Sequence, residues 1–423
     1  MISVFTPSHN PRFLNECYES LRKQTYSDWE WVVVLNRGAR WAGPQPPSPE
    51  QPVTVVEVPE ALSPEPLGVG ALKRLACEIA QGDILLELDH DDLLRSDALF
   101  FVAETFARHQ EASLVYSDWA HINGDGSRND SRWNPVYGWS YREAAFDGQS
   151  VLQIDSMPPL PHNVSYIWFT PNHLRAFRSD AYREAGGYDP SLDILDDQDL
   201  MCRLYQVGEF RHIPECLYLQ RLHDNNTHRD GSLNPRIQHE TIALYDHYVQ
   251  DNALAWARRE GLLALDMGAA HNKADGYLGV DQYPGAGVDI VTDVSKGLDL
   301  ADNSVGVVRA VDFLEHIADK VALFNEFYRV LAHGGMVLSL TPSTDGRGAF
   351  QDPTHVAFYN ENSFWYFTDA AHRAYVPEIT CRFQVSRLVT YFPDDWHRHH
   401  DIPYVCANLV AIKDGPRVGA IGQ

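Results

Sequence analysis

Short apolar runs alternate with segments of helical periodicity over the first part of the chain. The apolar runs predict strands, and the periodic segments predict helices. Predicted strands cover residues 2–6, 29–35, 53–58 and 83–88, and predicted helices cover residues 10–24, 67–80 and 93–108. This alternation is typical of a doubly wound, mostly parallel α/β sheet, whose ligands bind beyond the carboxyl ends of the strands.

The pattern weakens in the middle of the chain and restarts at Leu262. Five prolines within residues 42–52 predict a surface loop, and residues 125–165 predict loops and edge strands over a site. Further helices are predicted at residues 180–185, from residue 197 onward, and at residues 235–260. After Leu262, predicted strands cover residues 262–267, 277–281, 288–294, 305–311 and 335–340, the last after a Gly-Gly turn, and a predicted helix covers residues 318–331. We therefore expect an α/β domain over residues 1–234, a helical connector over residues 235–260 and a second α/β domain over residues 261–423.

Charge and cysteine content narrow the classes of function. The 423 residues include 34 basic and 58 acidic side chains, a net charge of −24. This balance argues against a broad nucleic-acid or anionic-lipid surface, because such a surface needs clustered Lys and Arg, but it leaves room for an anionic small molecule held through a metal ion. The six cysteines form no CxxC pair, which predicts neither a zinc knuckle nor a disulfide framework. No apolar run approaches the ~20 residues of a membrane span or precedes the first strand as a leader, so we expect a reduced, cytoplasmic protein.

Acidic residues follow the fourth predicted strand, in the stretch ILLELDHDD. Asp89 and Asp91 stand two residues apart just beyond this strand. Carboxylate oxygens suit Mg²⁺ or Mn²⁺, and a metal ion there can bridge a diphosphate. The alternative is that Asp91 or Asp92 caps the helix predicted to follow.

Six stretches occur in the order FTPSHN, QTYSDWEWVVVLN, LKRLACEIAQGDILLELDHDD, VYSDWAHINGDG, FRSDAYREAGGYDPSLDILDDQDLMCRL and LYLQRLHDNNT. They resemble, in the same order, the motifs of the family 2 glycosyltransferases, which are inverting enzymes with the GT-A fold. The resemblance covers most of residues 1–230. It implies a Rossmann-like, mixed but mostly parallel sheet in the first domain.

The same resemblance implies a nucleotide-sugar donor, a UDP-sugar in the first instance, and Mn²⁺ or Mg²⁺ as cofactor. It makes Asp91 the direct metal ligand, Asp89 a ribose or additional metal contact, and His223 a third metal contact, or otherwise a solvated loop histidine. Lys73 stands at the usual Arg and Arg74 at the usual Asn, which keeps a basic group near the phosphates. The expected nucleotide-sugar contacts are Thr6, Pro7, Asn10, Asn36, which would read the base, Lys73, Asp89 and Asp118.

Inversion requires one general base that removes the proton of the acceptor hydroxyl. Asp197, in DDQDL, matches the acid that the family uses, and Asp196 is the neighbouring alternative. Asp197 can also be an N-cap, and both roles are compatible. Trp168 and His173 are candidate acceptor contacts, since flat aromatic faces stack on sugar rings, and anchoring of the core is the alternative.

A glycine turn and a later acid mark the second domain. In LALDMGAAHNKADGYLGVD, Gly268 follows one strand and Asp281 ends the next, which suits close backbone approach and ribose binding. This stretch, together with GVDIVTDVSKGLDLADNSV and VDFLEHIADKVALFNEFYRVLAHGGMVLSLTPS, resembles class I S-adenosylmethionine-dependent methyltransferases. The resemblance implies cofactor contacts from Asp266, Gly268, Asp281, Asp293 and Asp312. Ala270 replaces the usual second glycine, which leaves three alternatives: an active methyltransferase, a cofactor binder and a purely structural domain. The sequence assigns no catalytic role to Glu315, His316, Asp352 or His355.

These features predict a two-domain hexosyltransferase-type enzyme of polysaccharide biosynthesis. The first domain would transfer a sugar to a glycan or lipid-linked saccharide, and the second would methylate the product. One alternative is a non-catalytic scaffold that binds nucleotides or glycans. Another is a transferase that modifies DNA bases or protein, and the negative charge argues against DNA bases as its substrate. The sequence predicts no membrane span and gives no indication of the oligomeric state.

Overall fold

The computed structural model describes residues 1–43, 52–58, 67–166, 168–223, 231–270, 272–415 and 419. The chain forms two compact units. The first contains residues 1–135, 139–159 and 163–248, and the second contains residues 136–138, 160–162 and 249–423, so the main boundary lies between Tyr248 and Val249. The predicted connector is a continuous helix, Asn234–Arg259, so the division lies inside it rather than at its end. Most of the predicted proline-rich loop lies outside the described residues.

The first unit is built on ten strands. They are β1 (Ile2–Ser8), β2 (Trp29–Leu35), β3 (Val53–Glu57), β4 (Ile84–Glu87), β5 (Leu93–Leu94), β6 (Ala112–Asn123), β7 (Ser140–Phe146), β8 (Gln149–Asp155), β9 (Arg175–Arg178) and β10 (Glu209–Leu222). The helices along this part of the chain are α1 (Leu14–Arg22), α2 (Val69–Ile79), α3 (Ala98–Arg108), α4 (Pro161–Val164), α5 (Ser179–Glu184), α6 (Asp196–Val207) and α7 (Asn234–Arg259).

The main path of this sheet runs β3-β2-β1-β4-β9-β6-β10-β5, and the hairpin of β7 and β8 pairs with β6. Strands β1 to β4 are parallel, β9 is antiparallel to both of its neighbours, and β6 and β10 are parallel to each other. All seven residues of β2 are buried, as expected of a strand covered on both faces. Because β1, β2 and β4 are parallel, their carboxyl ends meet at one edge, which confirms the predicted α/β class.

Helix α3 starts later than its apolar pattern predicts. Residues 93 and 94 form the short strand β5, which pairs with β10, and the helix begins at Ala98 with Asp97 in the N-cap position. The predicted helix over residues 93–108 is therefore wrong in its first five positions. This excludes the alternative that Asp91 or Asp92 caps it, and leaves both carboxylates to other partners.

The second unit contains a seven-stranded sheet. Its strands are β11 (Leu263–Met267), β12 (Leu278–Asp281), β13 (Ile290–Val291), β14 (Val305–Val311), β15 (Leu331–Pro342), β16 (Phe383–Tyr391) and β17 (Tyr404–Ala411). Its further helices are α8 (Lys320–Val330), α9 (Gly348–Gln351), α10 (Glu361–Thr368), α11 (Ala370–Arg373) and α12 (Asp395–His399).

The second sheet has the order β13-β12-β11-β14-β15-β17-β16, in which β11 to β15 are parallel and β17 runs antiparallel between β15 and β16. Phenylalanines 324, 327, 364 and 367 belong to its buried core. The predicted strand over residues 288–294 shrinks to Ile290–Val291, and Gly334 and Gly335 lie inside β15 rather than before it. Residues 268–270 and 272–277, between β11 and β12, form no helix.

All six cysteines are free thiols, and five of them are buried. Across the ranges given above, no helix combines the length and the apolar character needed to cross a bilayer.

Candidate functional site

A network of buried ion pairs lies at the carboxyl end of β4. Glu87, the last residue of this strand, pairs across the sheet with Arg175, the first residue of β9. The Glu87 carboxylate lies 2.6 Å from Nζ of Lys73 and 2.9 Å from Nε of Arg175. Lys73 also lies 2.8 Å from Oδ2 of Asp196, and Nη1 of Arg175 lies 3.0 Å from Oδ2 of Asp197. Two cations, from α2 and β9, therefore hold three carboxylates, one from β4 and two from α6.

Close backbone packing brings Lys73 to this network. Gly70 lies one turn before Lys73 in α2, and its N–H donates to the carbonyl of Leu192 at 3.1 Å. A Cβ atom at Gly70 would lie only 2.2 Å from the carbonyl oxygen of Asp189. Only glycine therefore lets α2 approach the segment that leads into α6 and its two acids.

The two neighbouring acids of α6 have different electrostatic surroundings. Burial raises the pKa of Asp196 to about 6, although the Lys73 ammonium opposes this. Burial also favours neutral Asp197, but Arg175 and Lys73 outweigh it and lower the pKa of Asp197 to about 2. The Asp197 side chain is 25% exposed, whereas that of Asp196 is 5% exposed. Asp197 is thus the ionised and accessible acid.

Local backbone geometry turns both acids into the first turn of α6. Leu195, which precedes them, has a left-handed φ of 57°, a conformation that costs a non-glycine residue about 1 kcal/mol. Leu195 holds the N-cap position, so Asp197 is not the N-cap that the sequence offered as an alternative. Oδ1 of Asp197 accepts a hydrogen bond from the backbone N–H of Gln198 at 2.9 Å. Negative charge is favoured at this end of a helix.

The acids of the DHDD segment, residues 89–92, follow directly after Glu87 and Leu88 and so lie beside this network. Asp91 is buried, and its Oδ2 lies 2.7 Å from Nε2 of His223. The Asp89 side chain is 36% exposed, and burial together with Glu87 raises its pKa to about 7 against the effect of Lys73. The structure thus brings Asp91 and His223 into contact, and Asp89 lies two residues before Asp91 in the same segment, so binding of one ion by all three stays a prediction. Two carboxylates and an imidazole form a donor set that fits Mn²⁺.

Strand β10 fixes the position of these acids. The N–H of Arg221 donates to Oδ1 of Asp92 at 2.7 Å, and its Nε donates to the carbonyl of Asp91 at 2.8 Å. The hydroxyl of Tyr218 accepts from the N–H of Asp89 at 3.1 Å. Arg221 is 1% exposed, so its guanidinium acts as a framework group. These contacts hold the segment in one conformation.

His173 joins the cluster and Trp168 packs elsewhere. The His173 ring stacks on Tyr218 at 4.7 Å, and its Nε2 lies 3.7 Å from Oδ2 of Asp89. Burial and the nearby Arg175 lower the pKa of His173 to about 3, so its ring is neutral. Trp168 is half-buried and stacks on Tyr166 at 5.6 Å. Acceptor binding by either residue stays a prediction.

The remaining predicted nucleotide contacts differ in what their side chains can offer. Asn36 follows β2, is buried, and has an Oδ1 atom without a hydrogen-bond partner in the described part of the chain. The Thr6 hydroxyl donates to the carbonyl of Leu88 and accepts from Nε1 of Trp31, and the whole residue is buried inside β1. Oδ1 of Asn10 accepts from the N–H of Arg12, and Pro7 is partly exposed at the end of β1. Asn36 is therefore the best placed of these residues to read a base.

Asp118 belongs to the framework of the sheet. Its carboxylate accepts from Nη2 of Arg142, Nε2 of Gln153 and the N–H of Ser156, and it contacts Nε2 of His212 at 2.6 Å. These four partners fill its acceptor positions, and none of them belongs to the network around Glu87. The predicted nucleotide-sugar contact of Asp118 is not favoured by this geometry.

Sequence reasoning missed Glu87 and Arg175. A signal was available, because an acid within the apolar run ILLEL needs a buried cation as partner. That cation stands 88 residues later in the chain, at the start of another apolar run. Nothing in the sequence pairs the two positions.

The second unit gathers its predicted cofactor residues at the carboxyl ends of β11 to β14. Oδ1 of Asp281 accepts from the N–H of Tyr283 at 3.0 Å, and its other oxygen has no partner among the described residues, which fits a ribose hydroxyl. Gly268 and Ala270 have left-handed φ values of 70° and 28°. The remaining acids already have protein partners: Asp266 contacts Arg309 and the N–H of Ala274, Asp293 caps the turn at Val294–Lys296, and Asp312 contacts Tyr404. Among the described residues, Asp281 is well placed for a cofactor contact, and the contacts of the other acids stay predictions.

Comparison with known proteins identifies relatives of both kinds. The family described as "Methyltransferase domain" matches residues 262–339. The chain is 23% identical over 236 residues to a chondroitin synthase of Escherichia coli, which covers 54% of this chain and 30% of that protein. It is 28% identical over 235 residues to the O-antigen biosynthesis protein RfbC of Myxococcus xanthus, with 52% of this chain and 16% of that protein covered. The chain thus spans less than a third of the length of these relatives. Both resemblances predicted from the sequence are confirmed.

Among solved structures, the chain is similar to residues 1–349 of TarS from S. aureus in complex with UDP-GlcNAc. The TM-score is 0.43 at 14% sequence identity. The match covers 62% of this chain and 71% of that one.

Proposed function

We propose that the first unit transfers a sugar from a nucleotide sugar to a hydroxyl acceptor with inversion of the anomeric carbon. One observation carries this proposal: the ionised, accessible Asp197 lies in the ion-pair network of Glu87, and Glu87 ends the strand that leads directly into the DHDD acids. A base for the acceptor and a cation site for the leaving diphosphate are the two parts that such a reaction requires.

The donor set of Asp91, Asp89 and His223 would hold the Mn²⁺ or Mg²⁺ ion. When bound there, the ion supplies positive charge that neutralises the diphosphate leaving group. The chain otherwise offers little positive charge to the phosphates, because Lys73 and Arg175 are both already paired with carboxylates. Binding of the nucleotide is therefore expected to depend on the metal.

The chain's own residues supply orientation and proton transfer. Arg175 holds Asp197 in its charged form and fixes one of its oxygens, so the carboxylate is positioned to accept the proton of the attacking hydroxyl. Asp196 is buried against Lys73 and is less accessible. His173, neutral and beside Asp89, lines the same site.

For the substrates we propose a UDP-sugar and a growing glycan or lipid-linked saccharide. The amide of Asn36 offers both an acceptor and a donor, which complements the N–H and carbonyl edge of uracil. The glycan acceptor is supported by the similarity to a chondroitin synthase and to an O-antigen biosynthesis protein.

A donor screen tests this proposal. The full chain is incubated with Mn²⁺ and UDP-, GDP- or TDP-sugars, and slow release of nucleoside diphosphate is measured together with thermal stabilisation. We expect one class of nucleotide sugar to be hydrolysed and to stabilise the protein, and a chelator to abolish both effects. Stabilisation and hydrolysis that persist in the presence of the chelator would contradict the metal role. No binding of any nucleotide sugar would favour a scaffold without catalysis.

A second candidate function, methyl transfer, belongs to the second unit. The observation that favours it is the second carboxylate oxygen of Asp281, at the end of β12, which has no partner among the described residues and lies on the strand next to the Gly268 turn. S-adenosylmethionine would be held there through its ribose and would supply the methyl group. Calorimetric titration of the full chain with the cofactor tests this function, and an absence of heat at high concentration would favour a structural role for this unit.

A further inference from the structure

Among the described residues, the second unit contains a buried carboxylate oxygen without a hydrogen-bond partner, just after β14. Glu315 is 2% exposed and belongs to the short turn Leu314–His316 that follows β14. Its Oε2 accepts a hydrogen bond from the hydroxyl of Thr341. Its Oε1 is buried and has no hydrogen-bond partner among the described residues. A buried carboxylate oxygen left in this way is costly unless a further group binds it.

His355 is directed at this oxygen. Its Nε2 lies 4.0 Å from Oε1 of Glu315, too far for a hydrogen bond, and its side chain is 8% exposed. Its Nδ1 lies 3.0 Å from the carbonyl oxygen of Ala349. That carbonyl can only accept, so Nδ1 carries the proton and Nε2 presents a lone pair towards Glu315.

His316 completes the group from the same turn as Glu315. Its Nδ1 lies 3.3 Å from the carbonyl oxygen of Thr354, and its ring centroid lies 5.1 Å from that of His355. One possible ligand atom from each of the three residues lies within 4.8 Å of the other two. The other polar atom of each side chain, Oε2 of Glu315 and Nδ1 of each histidine, contacts a protein oxygen. Such contacts orient metal ligands in proteins.

We propose that Glu315, His316 and His355 bind a divalent transition-metal ion of the zinc class. Two imidazoles and one carboxylate suit Zn²⁺, Co²⁺ or Fe²⁺ better than Mg²⁺, which prefers oxygen ligands. Ligands at ~2.0–2.1 Å from Zn²⁺ in a tetrahedral site stand roughly 3.3 Å apart, so modest side-chain rotation from the present spacing completes the site. The gap between Glu315 and His355 is then the space that the ion fills.

Three protein ligands leave one position of a tetrahedral ion open. The site follows β14, whose carboxyl end lies at the same edge as Gly268 and Asp281. The open position is available to water or to a hydroxyl or carboxylate oxygen of a bound molecule. This site is separate from the one proposed for the first unit, and it does not depend on that proposal.

Cobalt binding to the full chain tests the site, because Co²⁺ with nitrogen and oxygen ligands absorbs visible light strongly when four-coordinate. The titration is done in an Asp91→Ala background, so that the first unit does not contribute. We expect one Co²⁺ per chain with four-coordinate absorption, displaced by Zn²⁺. Glu315→Gln and His355→Gln should each weaken this binding at least tenfold, and the control His372→Gln, a half-exposed histidine of α11, should leave it unchanged.

Two further variants, His316→Gln and Thr341→Val, distinguish loss of a metal ligand from loss of folding as the cause of weaker Co²⁺ binding. His316 is exposed, so its replacement should spare the fold and still remove the absorption band. Thr341→Val keeps all three ligands, and we expect about 10–100-fold weaker binding, the usual cost of losing a group that orients a ligand. Full Co²⁺ binding by the Glu315, His355 and His316 variants, or no binding by the background protein, would overturn the proposal.

Discussion

Nη1 of Arg175 donates a hydrogen bond to Oδ2 of Asp197 at 3.0 Å. The same guanidinium faces Glu87 through its Nε atom. A residue of β9 thus links the last residue of β4 to the first turn of α6. The charge state of Asp197 depends on this link, since burial favours the neutral carboxyl group and only Arg175 together with Lys73 outweighs it.

The first prediction concerns this acid. Asp197→Asn should preserve nucleotide-sugar affinity and lower turnover by roughly 10²-fold or more, the usual scale for loss of a general base. Turnover and donor affinity are measured separately for Asp197→Asn, Asp196→Asn and the parent. If Asp196→Asn binds donor normally and is inactive while Asp197→Asn is active, the base is Asp196. Activity in both variants would remove the assignment altogether.

The second prediction concerns the metal contacts. Asp91→Ala should abolish transfer and weaken binding of nucleoside diphosphate in the presence of Mn²⁺, because the bridging cation is lost. In the absence of metal, the variant and the parent should bind equally weakly. Asp83→Ala, which removes a carboxylate with 91% side-chain exposure, is the matched control and should behave as the parent. Chelator-insensitive activity in Asp91→Ala would contradict the role of this acid.

The third prediction concerns the stability supplied by Lys73. Lys73→Met leaves Glu87 and Asp196 buried without this cation, and we expect a loss of roughly 3–5 kcal/mol in the free energy of unfolding. In the double variant Lys73→Met/Glu87→Gln, the loss in free energy of unfolding should be smaller than the sum of the losses in the two single variants, because one uncompensated charge disappears. Denaturant unfolding of the four proteins in this cycle measures the coupling. Strict additivity would show that the pair contributes no mutual stabilisation.

The fourth prediction follows from the low pKa of Asp197. A carboxyl group whose pKa is about 2 when folded, against 3.8 in its ordinary state, stabilises the fold above about pH 4. This contribution, on the order of 2 kcal/mol, is lost as the pH falls towards 2. The stability of Asp197→Asn should therefore approach that of the parent as the pH is lowered over this range. A stability difference that stays constant between pH 5 and pH 2 would contradict the ion pair with Arg175.

The sequence predicts much of the fold because apolar runs mark buried strands clearly. Strands β2 and β14 match their predicted ranges, and the helix Asn234–Arg259 is displaced by one residue from its prediction. Where the prediction fails, tertiary pairing outweighs the local pattern. Residues 93 and 94 look helical with the residues that follow, yet pairing with β10 makes them a strand.

The candidate site was predictable only in part. Asp89, Asp91, Asp196 and Asp197 follow from motifs and from their places at the ends of elements. Asp118 occurs in a matching motif, but its four protein partners come from positions that no local pattern connects. The partner of Glu87, Arg175, becomes visible only when β4 and β9 pair in the folded sheet.

The fifth prediction concerns the turn after β11. Ala270 has a left-handed φ of 28°, which glycine tolerates and an L-residue does not favour. Ala270→Gly should relieve this strain and tighten S-adenosylmethionine binding. Asp281→Ala should abolish S-adenosylmethionine binding. Calorimetry on the full chain measures both, with Asp275→Ala, an exposed acid of the same connection, as control. No heat from either the parent or Ala270→Gly would contradict cofactor binding.

The absence of a helix from the described residues between β11 and β12 has a consequence for inhibitor design. Helix N-termini bind carboxylates through free N–H groups and the helix dipole, and residues 268–270 and 272–277 provide no such terminus. The amino-acid tail of S-adenosylmethionine would therefore gain little here, and the nucleoside would supply most of the affinity through Asp281. We expect adenosine and methylthioadenosine to compete nearly as well as the whole cofactor. A ligand series for this domain would then grow outward from adenosine, with the tail left free for chemical variation.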